Sequence, residues 1–170
     1  MSDAEPMIVL ENVYKIFGPN PRGRAFDLCS SGVGKDEVQR QTGHVVGMRD
    51  ISFDVRRGEI FVVMGLSGSG KSTAIRTVNK LHAVTHGRVL VDGIDVQQLR
   101  GADLQSFRRE KTAMVFQHFA LFPHRNVIDN TAYGLKVQGV DKKERHEAAI
   151  EALAMVGLEA YAFNATRQLS

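Results

Sequence analysis

Eight consecutive residues, Gly65-Leu66-Ser67-Gly68-Ser69-Gly70-Lys71-Ser72, match the spacing G-x-x-x-x-G-K-[ST]. Each residue type has a physical task at that spacing. The glycines let the backbone fold tightly around an anion and turn successive N–H groups inward. The loop feeds a helix N-terminus, whose unpaired N–H groups and dipole favour phosphate. Lys71 adds a mobile positive charge at the β- and γ-phosphates, and the Ser72 hydroxyl is a hard oxygen ligand suited to Mg2+. This chemistry is the holding of a nucleoside triphosphate with magnesium. The motif does not say what the energy is used for.

Such a loop needs a strand before it and a helix after it. Ile60 to Met64 is apolar at every position, as expected of a strand covered on both faces. Ala74, Ile75, Val78 and Leu81 predict a helix from about Lys71 to His82 with one apolar stripe. Upstream, Met7 to Val13 reads as a strand running into Tyr14-Lys15-Ile16-Phe17. Gly18 to Gly43 reads as loop, with one helical turn around Lys35 to Gln41, and Cys29 lies in it as an incidental thiol. Val45 to Val55 alternates as a strand, and Arg56 to Glu59 reads as a hairpin turn.

Downstream, Arg88 to Val91 and Ile94 to Val96 flank Asp92-Gly93, a strong hairpin signal. Asp103 to Arg109 predicts a short helix, and Thr112 to Phe116 a buried strand ending at Gln117. The pattern then turns helical at Asn126 to Val137 and Lys142 to Val156. Ala149, Ala152, Leu153 and Val156 share a face of the second helix. Asp141 with Glu144 resembles a capping box, and Gly157 is a natural stop. Met48, Met64 and Met114 read as packing residues. The fold class is α/β followed by a helical piece.

Composition narrows the classes. Of 170 residues, 43% are hydrophobic and 24% charged, which excludes a disordered or collagen-like chain. The longest apolar runs fall far short of the roughly 20 residues a spanning helix needs. The acidic start, Met1-Ser2-Asp3-Ala4-Glu5, lacks the basic region of a signal peptide. One cysteine excludes an internal disulfide framework. These features favour a soluble protein of a reducing cytoplasm. Lys and Arg total 22 against 19 acidic residues, scattered and mixed, so nucleic acid is not an expected partner.

From Gly65 to Thr73 the chain resembles the ATP-binding cassette (ABC) ATPases. Phe17, at the end of the first strand, occupies the place where that family stacks the adenine ring, with Tyr14 as competitor. Val115-Phe116-Gln117 followed by Leu121-Phe122-Pro123 is similar to the family's Q-loop. The resemblance implies that Gln117 contacts Mg2+ and the attacking water, and that residues 117–125 touch a transmembrane permease. The insert carrying Gly34-Lys35-Asp36-Glu37, the run Gly58 to Gly65 and the stretch Phe116 to Arg125 resemble importers of the glycine betaine/proline type. By this resemblance the fold is a P-loop NTPase core over residues 1–124, its N-terminal part antiparallel, with the start of a helical subdomain over 125–170.

Further implications follow from the family. They are ATP and Mg2+ as cofactors, a second ATPase subunit as dimer partner, and a peripheral place on the cytoplasmic side of the membrane. Leu169-Ser170 match the first two residues of the signature motif, Leu-Ser-Gly-Gly. The Walker B aspartate, the catalytic glutamate and the switch histidine would lie beyond Ser170. The expectation is a subunit truncated there that binds ATP weakly and turns it over at or near background. Two alternatives stay open. One is a P-loop kinase, since the loop also resembles that of adenylylsulfate kinases; the other is a non-catalytic nucleotide-binding fragment.

Overall fold

Strand β1 (Pro6–Phe17) is the centre of a four-stranded antiparallel sheet in the computed structural model, which describes residues 6–116 and 121–168. β2 (Val45–Arg56) lies on one side of it. β3 (His86–Val91) lies on the other, with β4 (Ile94–Asp95) at the edge. Leu10, Val13 and Ile16 of β1 are buried to 1% exposure or less, together with Val89 of β3. The predicted turn between β3 and β4 forms as expected. Asp92 and Gly93 both take positive φ, 51° and 74°, the twist that a two-residue hairpin requires.

The glycine-rich stretch after β1 departs from expectation, because it holds two helices rather than one turn. Helix α1 (Arg24–Ser30) and α2 (Lys35–Thr42) bury Ala25, Cys29 and Val38 against Ile16. Cys29 is therefore a packed core residue of α1, not a loop thiol. Spaced apolar residues, four in α1 and one in α2, sufficed once Ile16 offered a surface. Glycines and serines at the borders hid that pattern.

The run Ile60 to Met64 corrects the sequence reading most sharply. It joins no described strand, and Ile60, Val62 and Met64 are 91%, 66% and 85% exposed. Thr112 to Phe116 behaves alike, with Val115 92% exposed. A run apolar at every position is stable as a strand only with hydrogen-bonded neighbours and a covering layer on both faces. None of the four described strands supplies them. Phe61 does stack on Phe53 of β2, ring centroids 4.8 Å apart. Met64 is thus no packing residue, whereas Met48 is buried.

Helix α3 (Lys71–Val78) is shorter than expected, since Lys80 takes positive φ just beyond it. Its buried positions are Ala74 and Thr77; Ile75 and Leu81 of the predicted stripe are half exposed. Two compact units divide between Leu104 and Gln105, within helix α4 (Gly101–Glu110). In the second unit the stretch after Asn126 breaks at Ala132 into α5 (Val127–Thr131) and α6 (Tyr133–Val137). Helix α7 (Lys142–Met155) packs Ala149 and Leu153 on Val127, Ile128, Ala132 and Ala162, while Val156 stays exposed. The Asp141 carboxylate caps α7 by accepting from the Lys143 amide. No described helix is long and apolar enough to cross a membrane.

Candidate functional site

The glycine-rich loop spans Gly65 to Gly70 and opens into α3. Gly70 is the N-cap at φ 95°, a left-handed conformation, and its carbonyl accepts the first helical hydrogen bond from the Ala74 amide at 2.9 Å. A methyl group at Gly65 would come within 2.8 Å of Ser69 Oγ, and one at Gly70 within 2.3 Å of the Gly47 carbonyl oxygen. At Gly65 and Gly70 the backbone therefore leaves no room for a side chain, whereas nothing lies within 4 Å of a Cβ added at Gly68. The amides of Lys71, Ser72 and Thr73 fall in the first turn, where a helix offers no internal acceptor. No acidic residue occupies that turn, so the positive end of the dipole is left for an outside anion.

Lys71 Nζ donates to the carbonyl oxygens of Gly65 and Leu66, each at 2.7 Å, with Ser69 Oγ at 3.5 Å. Leu66, Ser67, Gly68 and Ser69 are exposed, as is Ser72. Thr73 is half-buried. A cavity of about 370 Å3 beside the loop is lined by Lys35, Gly47, Arg49, Gly68 and Ser69 among others, without a carboxylate. A second of similar size, lined by Met48, Phe53, Phe61, Val63 and Ala74, is mainly apolar. The donor set thus fits a polyphosphate. Among the described residues no cluster of His, Cys, Asp or Glu could hold a metal alone. A magnesium ion at Ser72 would therefore share its ligands with the phosphates.

Phe17 comes to the same neighbourhood by way of β2. Its ring edge touches Gly47, whose own carbonyl abuts Gly70. The ring packs on His82 in an edge-to-face contact with centroids 5.3 Å apart, and Lys15 Nζ lies 4.7 Å from its centroid. Burial, reinforced by the Lys15 and Arg76 charges, pulls the His82 imidazole below its usual value. Burial likewise lowers the Lys15 ammonium. The competitor Tyr14 packs on Phe26 and His86 instead, within the insert's cluster.

Gly47, Lys15 and His82 escaped the sequence reading. Gly47 carried a signal, since a lone glycine inside an alternating strand marks a bulge or a close backbone approach. Lys15 and His82 carried none. Gln117, Leu169 and Ser170, three of the predicted site residues, lie outside the described residues.

A four-stranded antiparallel sheet, with the glycine-rich loop and helix α3 between β2 and β3, makes the first unit an α/β architecture. The family model described as ABC transporter matches residues 48–170, and the chain belongs to that family. It is 48% identical over 161 residues to the glycine betaine/proline betaine transport system ATP-binding protein ProV of Escherichia coli strain K12. That match covers 95% of this chain and 40% of ProV. It is 46% identical over 169 residues to the glycine betaine transport ATP-binding protein OpuAA of Bacillus subtilis strain 168, covering 99% of this chain and 40% of OpuAA. Among solved structures, the dimeric bacterial ABC transporter cassette MJ0796 superposes with a TM-score of 0.76 at 28% identity. There the match covers 96% of this chain and 63% of the other. The chain therefore spans about 40% of the length of these curated relatives. Family membership decides against the kinase alternative.

Proposed function

We propose that these residues form the ATP-binding part of the energy-coupling subunit of an importer for quaternary amines such as glycine betaine. The observation that carries the reading is that Gly70 of the Gly65–Thr73 loop and the Phe17 ring both pack against Gly47. The loop amides and Lys71 hold the phosphates, Ser72 and Gln117 face the Mg2+, and Phe17 stacks on the adenine. Residues 1–124 contribute to the ATPase core and 125–170 to its helical subdomain. Residues 117–125 touch a membrane permease, Leu169 and Ser170 begin the signature contact to a second ATPase subunit, and the assembly sits peripherally on the cytoplasmic face. The identity to ProV and OpuAA supports the choice of solute, because no residue described above recognises an amine.

Bound ATP would supply the free energy, and Mg2+ would neutralise charge on the transferring phosphoryl group. What this chain supplies is binding and orientation. Among the described residues no carboxylate lines the two cavities beside the loop; the reading includes turnover of ATP by the 170 residues alone at or near background. The test has two arms. Fluorescent ATP with Mg2+ binds the chain and fails to bind a Lys71→Ala variant; equal binding by both refutes the site. A chimera carrying residues 8–168 in the matching part of ProV restores glycine betaine uptake to a strain lacking ProV. A well-expressed chimera that hydrolyses ATP without uptake refutes the transport reading.

A further inference from the structure

Gly47 sits at an irregularity of the sheet that places it between two parts of the site. Lys15 pairs with Met48 and Ile16 with Val46, so Gly47 is one extra residue of β2 with no partner on β1. A bulge of this kind bends its strand and re-aims neighbouring side chains. Here the bent backbone does two things. Its carbonyl oxygen lies against Gly70, where a methyl group would approach to 2.3 Å. Its Cα lies against the Phe17 ring, where a Cβ on Gly47 would stand 2.7 Å from Cε2 and 3.3 Å from Cδ2. Only a residue without a side chain lets the ring sit this close to the strand that buttresses the loop.

We propose that Gly47 is a positioning residue for base recognition, a spacer that sets where the Phe17 ring lies relative to the phosphate loop. The proposal rests on the reading of Phe17 as adenine platform and adds what fixes it. A Cβ at position 47 displaces the ring and leaves the loop in place, because Gly47 reaches Gly70 through its carbonyl. Base recognition and phosphate recognition therefore separate in this variant. The ring also packs on His82 and lies beneath the Lys15 ammonium, so a displaced ring leaves both contacts.

The experiment compares ATP and inorganic triphosphate, each with Mg2+, as ligands of the full 170-residue chain. Base–aromatic stacking is a contribution that its loss turns into roughly a tenfold or greater weakening. Gly47→Ala is expected to weaken ATP by about that factor and to bind triphosphate as the parent does. Phe17→Ala should match it, and the double variant should be no weaker than Phe17→Ala alone. A Gly47→Ala variant that binds ATP like the parent overturns the proposal. So does an equal loss for both ligands, which would mean a disturbed loop, or additive losses in the double variant. Should Gly47→Ala fail to fold, the double variant, which removes the clashing ring, recovers the folded state if the contact is as described; a double variant that also fails overturns the proposal. A parent chain that binds triphosphate but prefers ATP no further removes the platform reading itself. That outcome is distinct from a parent with a preference that Gly47→Ala leaves intact.

Discussion

Replacing Gly70 by alanine tests the closest contact in the site. Two costs add. A non-glycine residue held in left-handed backbone loses about 1–2 kcal/mol, and φ at Gly70 is 95°. The new Cβ would also lie 2.3 Å from the Gly47 carbonyl oxygen, inside the 3.0 Å that real contacts respect. That oxygen belongs to the bulged backbone of β2, between residues paired with β1 on either side, so relief must move the bulge or the first turn of α3. Overpacking of this kind costs about 1–3 kcal/mol. The expected destabilisation is therefore about 2–5 kcal/mol.

Gly68→Ala is the control, because its φ of 76° carries the same backbone cost while nothing lies within 4 Å of an added Cβ. Urea unfolding followed by circular dichroism reads both. With a slope of about 1–3 kcal/mol per molar, the overpacking cost of about 1–3 kcal/mol should place the Gly70→Ala midpoint below that of Gly68→Ala by about 0.3–3 M. Equal midpoints would refute the reasoning, since the clash would then not exist.

Three further outcomes follow from other parts of the molecule. Asn130 accepts from the Phe122 amide and donates to the carbonyls of Phe122 and Asn126 at 2.8–3.1 Å. Asn130→Ala should thus cost about 1–3 kcal/mol and raise amide exchange at Phe122. Ile128 is 2% exposed beneath α7, and Ile128→Ala should destabilise the second unit by about 2–5 kcal/mol in urea unfolding. Hydrogen bonds from Arg40 and then Gln41 hold the Glu37 carboxyl at about 2 against an ordinary 4.5. Because this pKa is lowered on folding, the stabilisation is complete above pH 4.5 and is lost as pH falls through about 2. An NMR titration of Glu37 with a midpoint near 4.5 would contradict this.

The legible parts of the sequence were those where local chemistry decides the outcome. The Asp92-Gly93 turn, the Asp141 cap and the phosphate-loop spacing each carry their reason within a few residues. Helix α1 was illegible because its buried residues pack on Ile16 and Val38, which lie in other elements beyond the reach of a helical repeat. Ile60 to Met64 misled for the opposite reason. Its composition reports an environment on both faces, and the described residues do not provide that environment. At the site, the loop was plain, yet the link from Phe17 through Gly47 to Gly70 depends on a register shift that no periodicity announces.

The two 2.7 Å bonds from Lys71 to the loop's own carbonyls tie the start of α3 back to the turn that precedes it. One cation thereby clasps the turn to the helix that follows it, a tie that closes within seven residues.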